Sequence, residues 1–317
     1  MSKILSAKFE FVIAEALPRF EFSVEQCLYN SPEYISLWNE FNNITFLIVN
    51  SEKRKIAARI NFQIKETTAV SITTAPFGSL YISQGVDFET LSDFMDYIET
   101  HLRSKGIREI IIKHYPGIYY PESFEKVIST LALNGYKTSL IDLNQIIKIS
   151  NDPFESLIHP MELRNLNKSK KTGIIFTKHS NTEAEMVFNA IETFRNDRKI
   201  PVNIDFNSLM RLIDKFPYHY KFFSASMEDE MVSATICVKV KDSILYNFLP
   251  AHNSAYNKFS PLIFLLEQVY KYASDHKMKY LDLGVSSINN KPQMGLIRFK
   301  ERLGSKSVSK LTFLKEI

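Results

Sequence analysis

Lys300 stands in the stretch YLDLGVSSINNKPQMGLIRFKERLG (280–304), at a position where an apolar side chain is expected. In the predicted helix, Leu296, Phe299, Lys300 and Leu303 share one side at i, i+3, i+4 and i+7. Arg298, Glu301 and Arg302 take the solvent side. An ammonium on an inward face can stabilise negative charge that develops during a reaction. It can equally cover apolar surface with its stem and keep its head in water. Asp282 interrupts the preceding strand. A carboxylate there can take the proton of a substrate amine, or accept N–H groups of the next loop. His252 lies in the loop PAHNSAYNKFSP (250–261). Its ordinary pKa of about 6.5 suits a general base, although a loop histidine is often plain surface. The same loop carries Asn253, Tyr256, Asn257 and Lys258 between a strand end and a helix start. Free backbone N–H groups at such a point attract a cofactor pyrophosphate or a developing oxyanion.

Two further groups are cationic. A helix from Pro160 stacks Arg164, Lys168 and Lys171 at i, i+4 and i+7, a stripe able to bind phosphate or simply to be a solvated face. Arg195, Asp197, Arg198 and Lys199 close a helix that starts at about Thr182, where Thr182 and Glu185 form the expected capping box. Cations at a helix end are favoured by the dipole alone, or they contact substrate. Arg298 joins Arg164, Lys168, Arg195 and Arg198 as a candidate substrate contact.

The elements that must position these groups fall into two similar halves. The first has strand candidates at 44–50, 56–64 and 69–75, a turn and extended segment PFGSLYIS (76–83), an amphipathic helix over 88–106 and a short strand at 108–114. Phe88, Leu91, Phe94, Met95, Ile98 and Leu102 mark the buried stripe of that helix, and Gly106 suits its end. The second half repeats the order with strands at 220–226, 231–240 and 243–249, a helix at 261–276 and a strand at 279–284. Ser260 is its expected N-cap and Pro261 its first residue. The boundary is expected near residue 150, giving domains 1–150 and 151–317.

Bulk properties fit this division. At 317 residues with 45% apolar, 23% charged and 13% aromatic content, the chain reads as an ordered globular protein of about two domains. A formal net charge of +4 is too mild for a nucleic-acid signature and fits a small anionic ligand. Cys27 and Cys237 lie far apart, with no metal or redox spacing, so no metal is expected and a reducing, cytoplasmic location is. The opening MSKILSAKFEFVIAEALPRF lacks the uninterrupted apolar run of a signal peptide. No run reaches the roughly 18 apolar residues of a membrane helix, so no membrane insertion is expected.

Taken together, the motifs resemble those of Fem-type transferases. RNLNKSKKTGIIF resembles the family's "RNIRKAEKxGV" segment, ETFRNDRKIP its following helix, and YLDLG with GLIRFKERLG its closing "DLGG…GLYRFKxGFG" motif. The similarity spans about 160–310, and in the first half only the repeat order and the PFGSLYIS turn match. The resemblance implies two tandem GNAT-like (acyl-CoA N-acyltransferase) α+β domains, each a mixed, mostly antiparallel sheet flanked by helices. It implies transfer of an acyl group from acetyl-CoA or another acyl-CoA to a small-molecule amine. Lys300, aided by backbone donors near 250–257, would hold the oxyanion, and Asp282 or His252 would take the amine proton. The family also implies an aminoacyl-tRNA donor acting on a cell-wall precursor; the mild charge and the lack of a long helical arm count against tRNA here. Gly284-Val285 replaces the family's Gly-Gly, Glu301 and Leu303 depart from RFKRGFGG, and no RxxGxG/A loop precedes helix 261. Loss of that loop leaves a catalytically silent, ligand-binding duplicate as the third reading.

Overall fold

The computed structural model describes residues 3–4, 8–14, 21–23, 26–38, 40–288 and 290–317. It forms two compact units, Met1–Asp142 with Ser309–Ile317, and Leu143–Val308. Of the opening stretch, Phe9–Ala14 form a strand, while residues 1–2, 5–7 and 15–20 lie outside those described.

In the first unit, Phe9–Ala14, Asn42–Asn50 and Lys55–Lys65 build an antiparallel meander. The strand expected over 69–75 stops early, as Thr68–Val70. Ile72 there turns to φ +59°, a conformation that β-branched residues rarely adopt. The helix Phe88–Ser104 buries Leu91, Phe94, Met95, Ile98 and Leu102, as their spacing requires. Asp87 caps it by accepting the Thr90 N–H at 2.7 Å. The helix carries the chain over to Glu109–Lys113, which runs parallel to Thr68–Val70.

The second edge of Glu109–Lys113 is filled by the last strand, Lys306–Glu316, pairing antiparallel through Thr312–Glu316. Residues 309–317 therefore belong to the first unit, and the division falls at Asp142/Leu143 rather than near 150. An open strand edge would leave its N–H and C=O groups without partners. The buried carboxylate of Glu99 further holds Lys315, at 2.6 and 2.7 Å.

The second unit has the expected meander. Tyr220–Met227, Glu230–Lys241 and Ile244–Asn247 pair antiparallel in turn, and Ile175–His179 adds to the outer edge. The helix Pro261–Asp275 then leads to Tyr280–Val285, which is parallel to Ile244–Asn247. Ile263, Leu265, Leu266 and Val269 of that helix pack with Phe223, Leu245 and Leu281 of the sheet. Full burial of each such side chain contributes about 1.5–3 kcal/mol. One local expectation shifts: the capping box forms at Ser180 and Glu183, because a short turn, Asn181–Glu183, precedes the helix Ala184–Asn196.

Each unit is thus α+β, with mixed, mostly antiparallel strands flanked by helices. Among the described residues no helix is long and apolar enough to cross a membrane, and no three His, Cys, Asp or Glu cluster as for a metal. Cys27 and Cys237 are both buried and form no disulfide.

Candidate active site

The site grows from two parallel strands that part. Ile244, Leu245 and Tyr246 lie beside Tyr280, Leu281 and Asp282. Beyond that register the strands keep different company. Phe248 and Leu249 both donate to Ile236 O, at 3.0 and 3.1 Å, and Ala251–His252 pairs with Ser233–Ala234. On the other side Val285 pairs with Asn144 across a register shift. The two backbones therefore open as a fork. Gly284 sits at the shift with φ +72°, and a Cβ there would approach Tyr246 Cε2 to 3.1 Å. Only glycine meets both conditions without strain.

Asp282, 2% exposed, secures the inner prong. Its Oδ1 accepts the Gly284 N–H and the Asn144 side-chain amide, each at 2.8 Å. The carboxylate bonds its own backbone two residues on, which holds the turn in shape.

Lys300 answers to this turn. In the helix Met294–Arg302 the buried residues are Ile297 and Lys300, followed by Leu303, while Leu296 and Phe299 are half-buried. The Lys300 ammonium donates to Gly284 O at 2.9 Å and Val285 O at 2.8 Å. It ends on these two carbonyls rather than in open water. An ammonium has three N–H groups, so two are used and one is left for another acceptor. Burial pulls its pKa from 10.5 down to about 8, and the negative charge of Asp282 opposes that fall. At neutral pH the group is mostly charged and close to titrating.

Sequence reasoning missed Tyr246. It is half-buried beside Asp282 and Gly284. Burial and the Asp282 charge push its phenol well above the usual range, with Arg195 opposing, so it stays a neutral acid.

The outer prong is held by Arg195. Its guanidinium donates to Pro201 O at 3.1 Å and Pro250 O at 3.2 Å. Burial lowers its pKa, an effect that Tyr246 offsets. Arg198 reaches His252 Nδ1 at 3.4 Å, and His252 Nε2 donates to Asn257 Oδ1 at 2.9 Å. Both ring nitrogens are therefore engaged, and burial and the Arg198 charge lower the imidazole pKa.

The other predicted residues are placed differently. Asn253 Nδ2 donates to Glu230 at 3.2 Å and Tyr256 Oη donates to it at 2.6 Å, while Asn253 Oδ1 caps the Ala255 N–H. The N–H groups of Asn253 and Tyr256 are taken by Val232 O and Asn253 O. The backbone donors expected around 250–257 are thus largely committed. Lys258 is exposed, 4.8 Å from the Phe259 ring centre. Arg164, Lys168 and Arg298 are exposed on their helices. A serine–histidine–glutamate relay also occurs: His179 contacts Ser224 Oγ at 2.7 Å and Glu183 Oε1 at 3.0 Å. Ser224 is 1% exposed, which closes it to substrate and makes the relay structural.

No protein-family model matches the sequence, and no curated protein matches it. Solved structures do match the fold. The chain is similar to FemX over 92% of both chains, with 12% identity and a TM-score of 0.67. It is similar to a tandem GNAT protein from the clavulanic acid biosynthesis pathway over 98% of both chains, with 9% identity and a TM-score of 0.57. L-PGS from Bacillus licheniformis matches over 93% of both chains, with 10% identity and a TM-score of 0.56. At such identities the likeness is one of fold, and that fold is the tandem GNAT-like arrangement seen in Fem proteins.

Proposed function

We propose that this chain is an N-acyltransferase that moves an acyl group from an acyl-CoA-type thioester to a small-molecule amine at the strand fork of its second unit. The observation that carries the reading is the buried Lys300 ammonium, which spends two N–H groups on the fork's own carbonyls and keeps one in reserve. In acyl transfer the amine nitrogen bonds to the carbonyl carbon, charge collects on the carbonyl oxygen, and the C–S bond then breaks. The third N–H of Lys300 stabilises that oxygen. Tyr246, a neutral acid beside Asp282, gives its proton to the departing sulfur. The proton shed by the amine restores the phenol, so no net proton is gained or lost. Asp282 is a positioning residue in this reading, because its Oδ1 is committed to Gly284 and Asn144. His252 positions Arg198 and Asn257 rather than acting as base, since neither ring nitrogen is uncommitted.

Lys258 and Arg198 are the cations assigned to the donor's diphosphate. Asn253 and Tyr256 are less suited, because the Glu230 carboxylate sits between them. Arg164, Lys168 and Arg298 are left to charged groups of the substrate. An aminoacyl-tRNA donor has less support, given a formal net charge of only +4.

The test is a panel of acyl-CoAs, from acetyl upward, scored by melting temperature and by thiol release with simple amines. A donor that binds the folded chain must raise the melting temperature. Tyr246→Phe and Lys300→Met should each slow thiol release by about 10²-fold or more while remaining folded. If no thioester shifts melting and none releases thiol, the transferase reading fails and a silent ligand-binding duplicate takes its place.

A further inference from the structure

Three lysines gather on one face of the second unit's sheet. Lys178 stands on the outer strand Ile175–His179, Lys221 on Tyr220–Met227 and Lys239 on Glu230–Lys241. Lys178 lies opposite Phe223, and Lys221 lies opposite Cys237. Phe223 and Cys237 belong to the core under the helix Pro261–Asp275. Both lysines therefore take that helix's side of the sheet, and Lys239, two residues on from Cys237, takes it too. Lys178 and Lys239 are each a diagonal neighbour of Lys221, a placement that sets Cβ atoms about 7–8 Å apart. Flexible four-carbon stems let ammonium groups placed this way close on a single ion.

Their charge is poorly answered. Lys221 is half-buried, and its ammonium makes no hydrogen bond or ion pair among the described residues. Lys178 lies 5.2 Å from the Tyr272 ring centre, with no acid paired to it among the described residues. Lys239 meets Asp242 at 2.9 Å, but that carboxylate is 95% exposed, where water screens the pair. His219 Nδ1 donates to Lys239 O at 2.6 Å, and burial lowers its pKa from 6.5, so it adds little charge at neutral pH. Burial, and then the charges of Lys178 and Lys239, lower the Lys221 pKa. The end of the neighbouring helix draws cations by its dipole, yet its last carbonyls are answered by the backbone. The His276 N–H bonds Tyr272 O and the Lys277 N–H bonds Ser274 O. Like charges set side by side without an answering acid are destabilising, and an anion seated among them reverses the sign.

We propose that Lys178, Lys221 and Lys239 form a binding site for a phosphate group, carried as the free ion or as the monoester of a small molecule. Compact point charges from three directions suit a tetrahedral dianion with several equivalent oxygens. A planar carboxylate is better matched by an arginine fork, and these three strands carry no arginine. The site lies on the outer strands, whereas the strand fork is formed by Ile244–Asn247 and Tyr280–Val285. It does not rest on the transferase reading.

The test is dilute acetylation of the full chain by acetic anhydride at about pH 8, where phosphate is a dianion. Each lysine is scored by mass spectrometry, with inorganic phosphate, glycerol phosphate and chloride compared at equal ionic strength. Phosphate should slow the labelling of Lys178, Lys221 and Lys239 saturably, while the exposed Lys105 of the first unit labels as before. Protection by glycerol phosphate as well assigns the group to an ester, protection by inorganic phosphate alone assigns it to the free ion, and both support the site. Lys221→Met should weaken the affinity read at Lys178 and Lys239 about tenfold, the worth of one charge-assisted hydrogen bond. In phosphate-free buffer that variant should melt no earlier than the wild type, because methionine keeps the apolar stem and removes a repelled charge. No saturable protection, equal protection by chloride, or protection unchanged in Lys221→Met overturns the proposal. So does a clear fall in the variant's melting temperature, which would make Lys221 a structural residue.

Discussion

Replacing Lys300 by methionine tests the burial of its ammonium without any knowledge of substrate. Folding carries that group into a site where its pKa drops from 10.5 to about 8. At about 1.36 kcal/mol per pH unit, the drop corresponds to about 3 kcal/mol. The folded value lies below the unfolded one, so between pH 8 and 10.5 the unfolded chain holds more protons. Stability from this group therefore rises with pH across that window, and it is level below the window. The wild-type chain and Lys300→Met should be compared by urea unfolding in steps from neutral pH to 10.5, so that every other titrating group cancels in the difference. The wild type should gain about 3 kcal/mol on the variant over that range. At neutral pH the two should differ by only about 2 kcal/mol, because methionine relieves the desolvation but abandons the carbonyls of Gly284 and Val285, each worth about 1–3 kcal/mol when left unmet. A difference that stays flat from neutral pH to 10.5 would refute the buried ammonium and, with it, the oxyanion role.

Gly284→Ala should cost about 1–2 kcal/mol from the left-handed backbone alone, and more from the Tyr246 contact at 3.1 Å, read from unfolding curves. Lys315→Met should destabilise the first unit by about 2–3 kcal/mol, because the buried Glu99 carboxylate loses two short bonds and keeps Arg103 at 3.9 Å, and Glu99→Met in the same chain should recover much of the loss. Burial holds the His114 imidazole near a pKa of about 3, so the unfolded state takes up its proton first as acid is added. Stability should then fall by about 1.4 kcal/mol per pH unit from pH 6.5 towards 3, a slope that His114→Gln should lack.

Much of the second unit was legible in the sequence because its signals are local. The alternation of 231–240 and the proline at 261 needed no tertiary information, and both elements formed. Helical phase singles out Lys300, although the buried stripe lies one residue from the expected one, with Ile297 rather than Leu296 as the buried neighbour. Tyr246 was hidden for a different reason. It occupies an ordinary strand position in SILYNFL, and only the parallel pairing with a strand more than thirty residues on sets it beside Asp282. The last strand, Lys306–Glu316, is hidden as well. Its outward lysines and serines mask the alternation, and its partner lies near residue 110. The partners of Asn253, Tyr256 and His252 come from Glu230, Arg198 and Asn257, of which only Asn257 is close in sequence.

The strand that fills the second flank of Glu109–Lys113 is made only after the whole of the second unit. During translation, residues 1–142 emerge first yet wait with one flank of Glu109–Lys113 unfilled, whereas 143–308 are all present before that strand appears. The order of completion can then invert the order of synthesis, and the early unit depends on keeping its bare flank out of other pairings until that strand arrives.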